Sequence, residues 1–383
     1  MVLSLTTTGD AGFPVWMEAL NGNSSDKTSF HNTIALVQEF QKQLQEAPNF
    51  IWIADSALYT IDKLLNYRCQ LEILWITRVP STVSDAKALC EMPSEMFEWQ
   101  EIGNGYYMVP LGSNHGNLSP RWLLIYSQHA YERESQSFER QLLKTEEKLA
   151  KQLWHFSNQV FTTAAEAYKA FLNLVKRYPN HNLHSSLEEV YKYAGKGRPK
   201  TGQLPQMVGY RVSVSFCRRD TAIAKALNTK GRFILATNQL DEEQLSDLQI
   251  FQEYKKQSQV ERGFRFLKDP MFMANSLFLK NPQRIEALMM VMTLCLMIYN
   301  VGEYQLRQQL KQNEDTLPNQ VGKSVSNPTL RWVFQMMSGI SVAQVFLDKQ
   351  HTTTVTLVCN LDDLLPKIIR YFGSHALEIY GMT

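Results

Sequence analysis

The first twenty residues follow a strand–turn–strand pattern. "VLSLTTT" and "FPVWMEAL" read as strands and "GDAG" as the turn between them, so the chain opens on a predicted β-hairpin. "NGNSSDKTS" then supplies Ser and Asp residues able to cap a helix over about residues 30–45. "NFIWIADSA" is a short apolar run without polar alternation. Such a run predicts a strand covered on both faces, as at the parallel centre of an α/β sheet. A helix is expected over about 59–67, and "QLEILWITRV" is a second strand of the same kind.

The pattern changes over residues 81–229. "IGNGYYMVPLG", "RWLLIYSQ" and "YRVSVSFC" read as strands. A long charged helix is expected over about 132–154 and another in "TAAEAYKAFLNLVKRY". The Gly/Pro-rich basic stretch "GKGRPKTGQLP" lies between the helices and the last of these strands. The region reads as an insertion with its own strands and a helical pair. The buried-strand pattern returns in "GRFILATNQ". A long helix follows from about Asp241, then an apolar helix near 284–311. Residues 312–383 hold a polar stretch, a helix in "TLRWVFQMMSG", a strand in "HTTTVTLVCN" and a last helix in "LDDLLPKIIRYFG". The expected organisation is therefore a core from 1–80 and 230–311, an insertion at 81–229 and a helical C-terminal region at 312–383. No internal repeat is visible.

At 383 residues the chain can bury a large core. Its net charge is only +2, so any nucleic-acid contact must come from local basic patches. Cys69, Cys90, Cys217, Cys295 and Cys359 are scattered with no CxxC pair, which argues for a reducing compartment and against a structural zinc site. The most apolar segment, "ALMMVMTLCLMIYNV" at 287–301, is shorter than the roughly 18–20 residues of a membrane span. A buried core helix is expected there. The N-terminus lacks a basic leader, and a cytoplasmic, nucleoid-associated protein with no membrane partner is expected.

Candidate chemistry concentrates in two places. In "QEYKKQSQVERGFRFLKDP", steps of seven residues return a side chain to within about 20° of its starting azimuth on a helix. Tyr254, Glu261 and Lys268 then share one stripe, with Gln257 and Arg265 beside it and Val260, Phe264 and Leu267 on an apolar face. A solvated charged face would look the same. The second place is "WIADSALY", where Asp55 ends a predicted buried strand. It can cap the following turn, or serve at the carboxyl edge of a sheet, where ligands gather. Two carboxylates from distant parts of the chain are the oxygen donors that Mg²⁺ takes. Arg265 and Lys268 would meet phosphate oxygens.

The spacing Tyr254-x2-Gln257-x3-Glu261-x6-Lys268 resembles the Tyr-x2-Arg-x3-Glu-x6-Lys signature of DDE transposases from bacterial insertion sequences, in the insertion-sequence-four superfamily. "FILATN" and "VERGFRFLKDP" are similar to that family's third motif region and "WIADSALY" to its second; the likeness runs from the first residues to at least 310. The resemblance implies an α/β ribonuclease-H-like core, a mixed sheet flanked by helices, with a large β-containing insertion. It implies Mg²⁺- or Mn²⁺-dependent cleavage and strand transfer at element ends and in target DNA, by a homodimer. Carried over, Asp55 is the second catalytic Asp and Glu261 the catalytic Glu, both metal ligands. Tyr254 and Lys268 would contact phosphates.

Two departures stand out. Gln257 replaces the signature Arg and brings no charge, which Arg262 and Arg265 would offset in part. The first catalytic Asp has no match, because the opening hairpin corresponds to the family's second and third strands. An N-terminal truncation is expected from this, with poor solubility, little or no cleavage, and an alternative role as an inactive regulator that binds DNA or full-length enzyme. Asp10 falls in a turn at the wrong end of the sheet; Asp26 follows the third strand at the correct end and is the better local candidate, but reads mainly as a loop or cap residue. Lys196, Arg198 and Lys200 in "GKGRPKT" form a basic turn compact enough for a minor groove, or an ordinary surface turn.

Overall fold

A computed structural model describes residues 2–24, 26–43, 50–60, 64, 73–112, 120–195, 198–199, 201–269, 281–346, 354–360 and 363–380. The chain is α/β and divides into two compact units. One is Asn49–Phe251; the other combines Met1–Pro48 with Gln252–Thr383.

The chain opens on the expected hairpin. β1 (Val2–Thr7) pairs antiparallel with β2 (Pro14–Leu20), with Leu5 opposite Met17. Thr8 closes the turn: its hydroxyl and carbonyl side accept while its N–H donates to Phe13 O at 2.9 Å. Gly12 takes φ 67°, a left-handed value that glycine tolerates without a Cβ clash. The next helix, Asp26–Gln41, starts earlier than the capping residues suggested.

In the 49–251 unit a six-stranded sheet runs in the order β3–β4–β11–β7–β6–β5. The strands are β3 (Ile51–Ala54), β4 (Leu74–Arg78), β5 (Gln100–Gly103), β6 (Tyr106–Gly112), β7 (Arg121–Ser127) and β11 (Arg232–Thr237). β3 and β4 are parallel and the other neighbours antiparallel. β3 is an edge strand, not a central one. Among the described residues nothing pairs with its outer side, and Ile51 and Ile53 are only half-buried. Full coverage falls instead on Trp75, Ile76, Leu123, Leu124, Ile125, Ile234 and Leu235. "IGNGYYMVPLG" is not one strand but a hairpin, broken at Gly103, Asn104 and Gly105, whose φ values of 91°, 53° and 71° turn the chain. The helix expected over 59–67 lies mainly outside the described residues.

A second sheet in this unit, β8 (Val160–Phe161), β10 (Gln206–Arg218) and β9 (His181–Lys192), has the order β8–β10–β9. β9, "HNLHSSLEEVYK", carries no strand signal because it is polar and mostly exposed; β10 pairs with it along almost its whole length. Two helices accompany this sheet. Ser127 caps the first, Gln128–Ser157, by accepting from Ala130 N, and Thr163 caps Ala164–Arg177 by accepting from Glu166 N. Leu149, Leu153 and Leu174 pack with Val214 and Phe216.

In the other unit, helices Ser258–Leu267, Pro282–Gln312, Leu330–Met336 and Leu364–Arg370 carry two small cores. One joins Leu5, Leu267, Met292 and Leu296; the other joins Leu306, Leu310, Leu330, Val333, Leu365 and Ile368. Ser341–Phe346 and Thr354–Cys359 form an antiparallel hairpin of which only the second strand was legible. The 287–301 segment is not the buried helix expected. Met292 and Leu296 are covered, whereas Met290, Val291, Leu294, Ile298 and Val301 are exposed. Apolar residues occupy more of its circumference than its neighbours cover. The 31-residue helix is long and apolar enough, by length and composition alone, to cross a membrane.

Candidate active site

Asp55 follows β3 directly. Its backbone is extended, φ −70° and ψ −177°, and begins the single 3₁₀ turn Ser56–Leu58. The side chain makes no capping hydrogen bond to that turn. What holds the residue is its carbonyl, which accepts from the buried Thr77 hydroxyl at 2.9 Å and from Leu58 N at 3.1 Å. Because Ala54 pairs with Thr77 in the parallel register, Thr77 is in place to do this. The Asp55 carboxylate is thus exposed on a fixed backbone at the carboxyl end of a strand. It lines a cavity of about 320 Å³ with Arg78, Lys87, Cys90 and Arg232.

Arg78 and Arg232 carry no motif, and their one sequence signal is position, at the end of β4 and the start of β11. Arg78 stacks 5.2 Å over the Phe233 ring. Arg232 donates to Cys90 O at 3.2 Å and to Met92 O and Ser94 Oγ at 2.5 Å each, which marks it as structural. Burial pushes its pKa down, and it pushes the Cys90 thiol up. Asn238, just past β11, ties the end of that strand to the start of β4. Its Oδ1 accepts from Trp75 N at 2.9 Å and its Nδ2 donates to Ile73 O at 2.6 Å.

The second motif is not on one helix. Asp247–Lys256 ends and Ser258–Leu267 begins at Gln257. Bonds there run three residues back, Gln257 N to Tyr254 O at 3.2 Å and Val260 N to Gln257 O at 3.0 Å, so the junction is wound tighter than an α-helix. The continuous 100° azimuth therefore holds from Glu261 to Lys268 but not across Gln257. Glu261, Arg262, Arg265 and Lys268 are exposed, whereas Tyr254 and Gln257 are half-buried. Gln257 Oε1 is buried without a hydrogen-bond partner among the described residues. Lys268 Nζ lies 5.8 Å over the Phe264 ring.

The opposite face of this helix explains its placement. A Cβ on Gly263 would sit 3.0 Å from Leu5 Cδ2 and 3.3 Å from Leu296 Cδ2, so glycine lets the helix close on β1 and the long helix. Burying Gly263 and Leu267 turns Glu261 outward.

Lys256, next to the junction, pairs with Asp10 at 2.6 Å and Glu253 at 2.7 Å. Burial opposes its charge, but the two carboxylates outweigh burial and raise its pKa. Asp10 is thereby held by a lysine. The Asp26 side chain, Lys196 and Lys200 lie outside the described residues, and Arg198 is exposed.

Exposed carboxylates have the oxygen chemistry a hard divalent cation takes. Asp55 and Glu261 belong to different units, and the described residues contain no group of three or more His, Cys, Asp or Glu placed to hold a metal ion. The donor type fits; a complete ligand set is not assembled within either unit.

No curated protein and no solved structure matches the chain. A family model, the transposase DDE domain, matches residues 1–298 and so covers both Asp55 and Glu261. With more than half its length matched, the chain belongs to the DDE transposase family, whose enzymes act in DNA transposition and recombination.

Proposed function

We propose that the chain is a transposase of a bacterial insertion sequence, of the insertion-sequence-four superfamily, built on a ribonuclease-H-like core. Asp55 and Glu261 are two of its catalytic carboxylates and hold Mg²⁺ or Mn²⁺. The observation that carries this reading is the state of these two side chains. Each is exposed on a well-anchored backbone within the family's matched span, and Asp55 is not spent on capping.

Bound there, a divalent cation supplies Lewis-acid stabilisation to charge developing on a phosphate. The chain's own residues hold the DNA. Lys268 and Arg265 meet phosphate oxygens as cations and Tyr254 through its hydroxyl. Arg262 supplies charge that Gln257 does not. Lys196, Arg198 and Lys200 contact DNA without reading sequence. The partners are element ends and target DNA, engaged as a homodimer in the cytoplasm, associated with the nucleoid.

A DDE centre needs a third carboxylate. Asp10 is a poor one, since Lys256 already neutralises it. That ion pair favours a second reading, in which the chain binds DNA or intact enzyme and dampens transposition without cutting.

The test is nicking of supercoiled plasmid in Mg²⁺ or Mn²⁺, with DNA binding measured in parallel. Binding is expected, with little or no nicking and no difference between the intact chain and Glu261→Gln. Strong Mg²⁺-dependent nicking that disappears in Glu261→Gln would show that the third carboxylate is present and the centre complete. Absence of DNA binding would sink the first reading and leave the second resting on association with intact enzyme, which co-purification of the two would test.

A further inference from the structure

Arg262 and Arg265 do more than flank the Glu261 stripe. They line a cavity of about 770 Å³ within the terminal-segment unit, together with Arg307 and Arg331 from two other helices. Tyr254, Glu261 and Lys268 are not among its lining residues. One wall is the β1–β2 turn, pinned by Asn300 Nδ2 donating to Gly12 O at 2.7 Å.

The charges of this cleft do not cancel. Its carboxylates are Asp10, Asp269 and Glu303, and each has its own cation. Lys256 holds Asp10 at 2.6 Å, Arg307 holds Glu303 at 2.5 Å, and Arg331 is bonded to Asp269. Arg262 and Arg265 have no carboxylate partner among the described residues. Arg307 is also committed to the backbone, donating to Pro328 O at 3.0 Å. Burial lowers its pKa against the pull of Glu303, and the neighbouring Arg262 charge lowers it further. Two guanidiniums with no carboxylate partner among the described residues, beside a desolvated third, leave the cleft with surplus positive charge. Guanidinium favours phosphate because its planar fork donates two parallel bonds.

The geometry points to an extended DNA contact, in which Arg262, Arg265 and Arg331 grip the phosphodiester backbone of a strand running through this cleft, whose lining includes neither Glu261 nor Lys268. It rests on the reading of the chain as DNA-acting and adds a path for the strand that the signature residues do not mark.

Arg331 gives the cleanest test, because it lies outside every motif. Binding of a fluorescein-labelled oligonucleotide is followed by anisotropy across a salt series. Each phosphate contact contributes about 0.7 to 0.9 to the slope of log K against log salt. Arg331→Gln is expected to weaken binding several-fold and to lower the slope by about one contact. Asp269→Asn, which frees Arg331, is expected to tighten binding, whereas loss of a merely structural ion pair would weaken it in both variants. Lys268→Gln should weaken binding independently.

If Lys268→Gln weakens binding while Arg331→Gln and Asp269→Asn leave it unchanged, the cleft assignment fails and the transposase reading stands. If the intact chain binds no DNA, both fail. Inorganic phosphate at matched ionic strength separates the sources of the anion. Displacement of DNA at low millimolar phosphate would assign the cleft to free phosphate and overturn the strand path.

Discussion

Single residues carry much of the local structure. Asn238 uses both ends of its amide on the backbone beside β4, and no other side chain among the described residues bridges that place. Asn238→Ala leaves Trp75 N and Ile73 O without these partners. It is expected to cost about 1–3 kcal/mol in chemical denaturation. Asp315 plays a similar part in the C-terminal region. Lys367 at 2.7 Å, then the Tyr371 hydroxyl, hold its carboxyl down to about 2, and the same bond pushes Tyr371 up to about 12. The Asp315 contribution is complete above the ordinary carboxylate pKa and is lost as pH falls from about 4 through 2. The Tyr371 contribution is present below the ordinary phenol pKa and is lost as pH rises through about 12. Asp315→Asn should abolish the acid limb of stability in this region, read from the pH dependence of thermal unfolding.

Among elements, the decisive one is the Ser258–Leu267 helix. Its polar stripe and apolar face were legible by periodicity alone, and the exposure of Glu261, Arg265 and Lys268 agrees with it. The break at Gln257 was not legible. Nothing in "YKKQSQVER" is a helix breaker, and only hydrogen bonding in the folded chain reveals the tightened turn. Gly263 was equally silent, since its role depends on Leu5, more than 250 residues away in sequence. Gly263→Val should push this helix off β1 and destabilise the unit by about 1–3 kcal/mol, as overpacking does. A thermal melt no lower than that of the unsubstituted chain would refute the close packing. β9 escaped notice for a related reason. Its polar residues form a strand because β10 supplies the ladder, not because their own propensity does.

At the scale of the whole molecule, the exposed apolar face of Pro282–Gln312 dominates. Val291, Leu294, Ile298 and Val301 recur at intervals of three and four and leave a stripe open along the helix. Contiguous apolar surface of this kind drives association. The chain is expected to self-associate in light scattering, and Ile298→Glu to reduce that association without lowering the melting temperature. A monodisperse monomer in both cases would show that the stripe is covered in solution.

Sequence by itself determined the α/β class and pointed to the family. Period and turn residues marked the opening hairpin, β4, β7, β11 and the long helices, because local propensity and one-sided burial write directly into residue order. The Tyr254–Glu261–Lys268 spacing and the strand-end Asp55 pointed to the DDE family, which the match over residues 1–298 establishes. Tertiary structure decided the rest. It placed β3 at a sheet edge, where hydropathy had suggested a centre. It left Asp55 free of capping, anchored through Thr77, and gathered Arg262, Arg265, Arg307 and Arg331 around one cleft. Each of these outcomes depends on which distant segment becomes the neighbour. Burial, charge compensation and strand order are properties of pairs of segments, and no single stretch of sequence contains them.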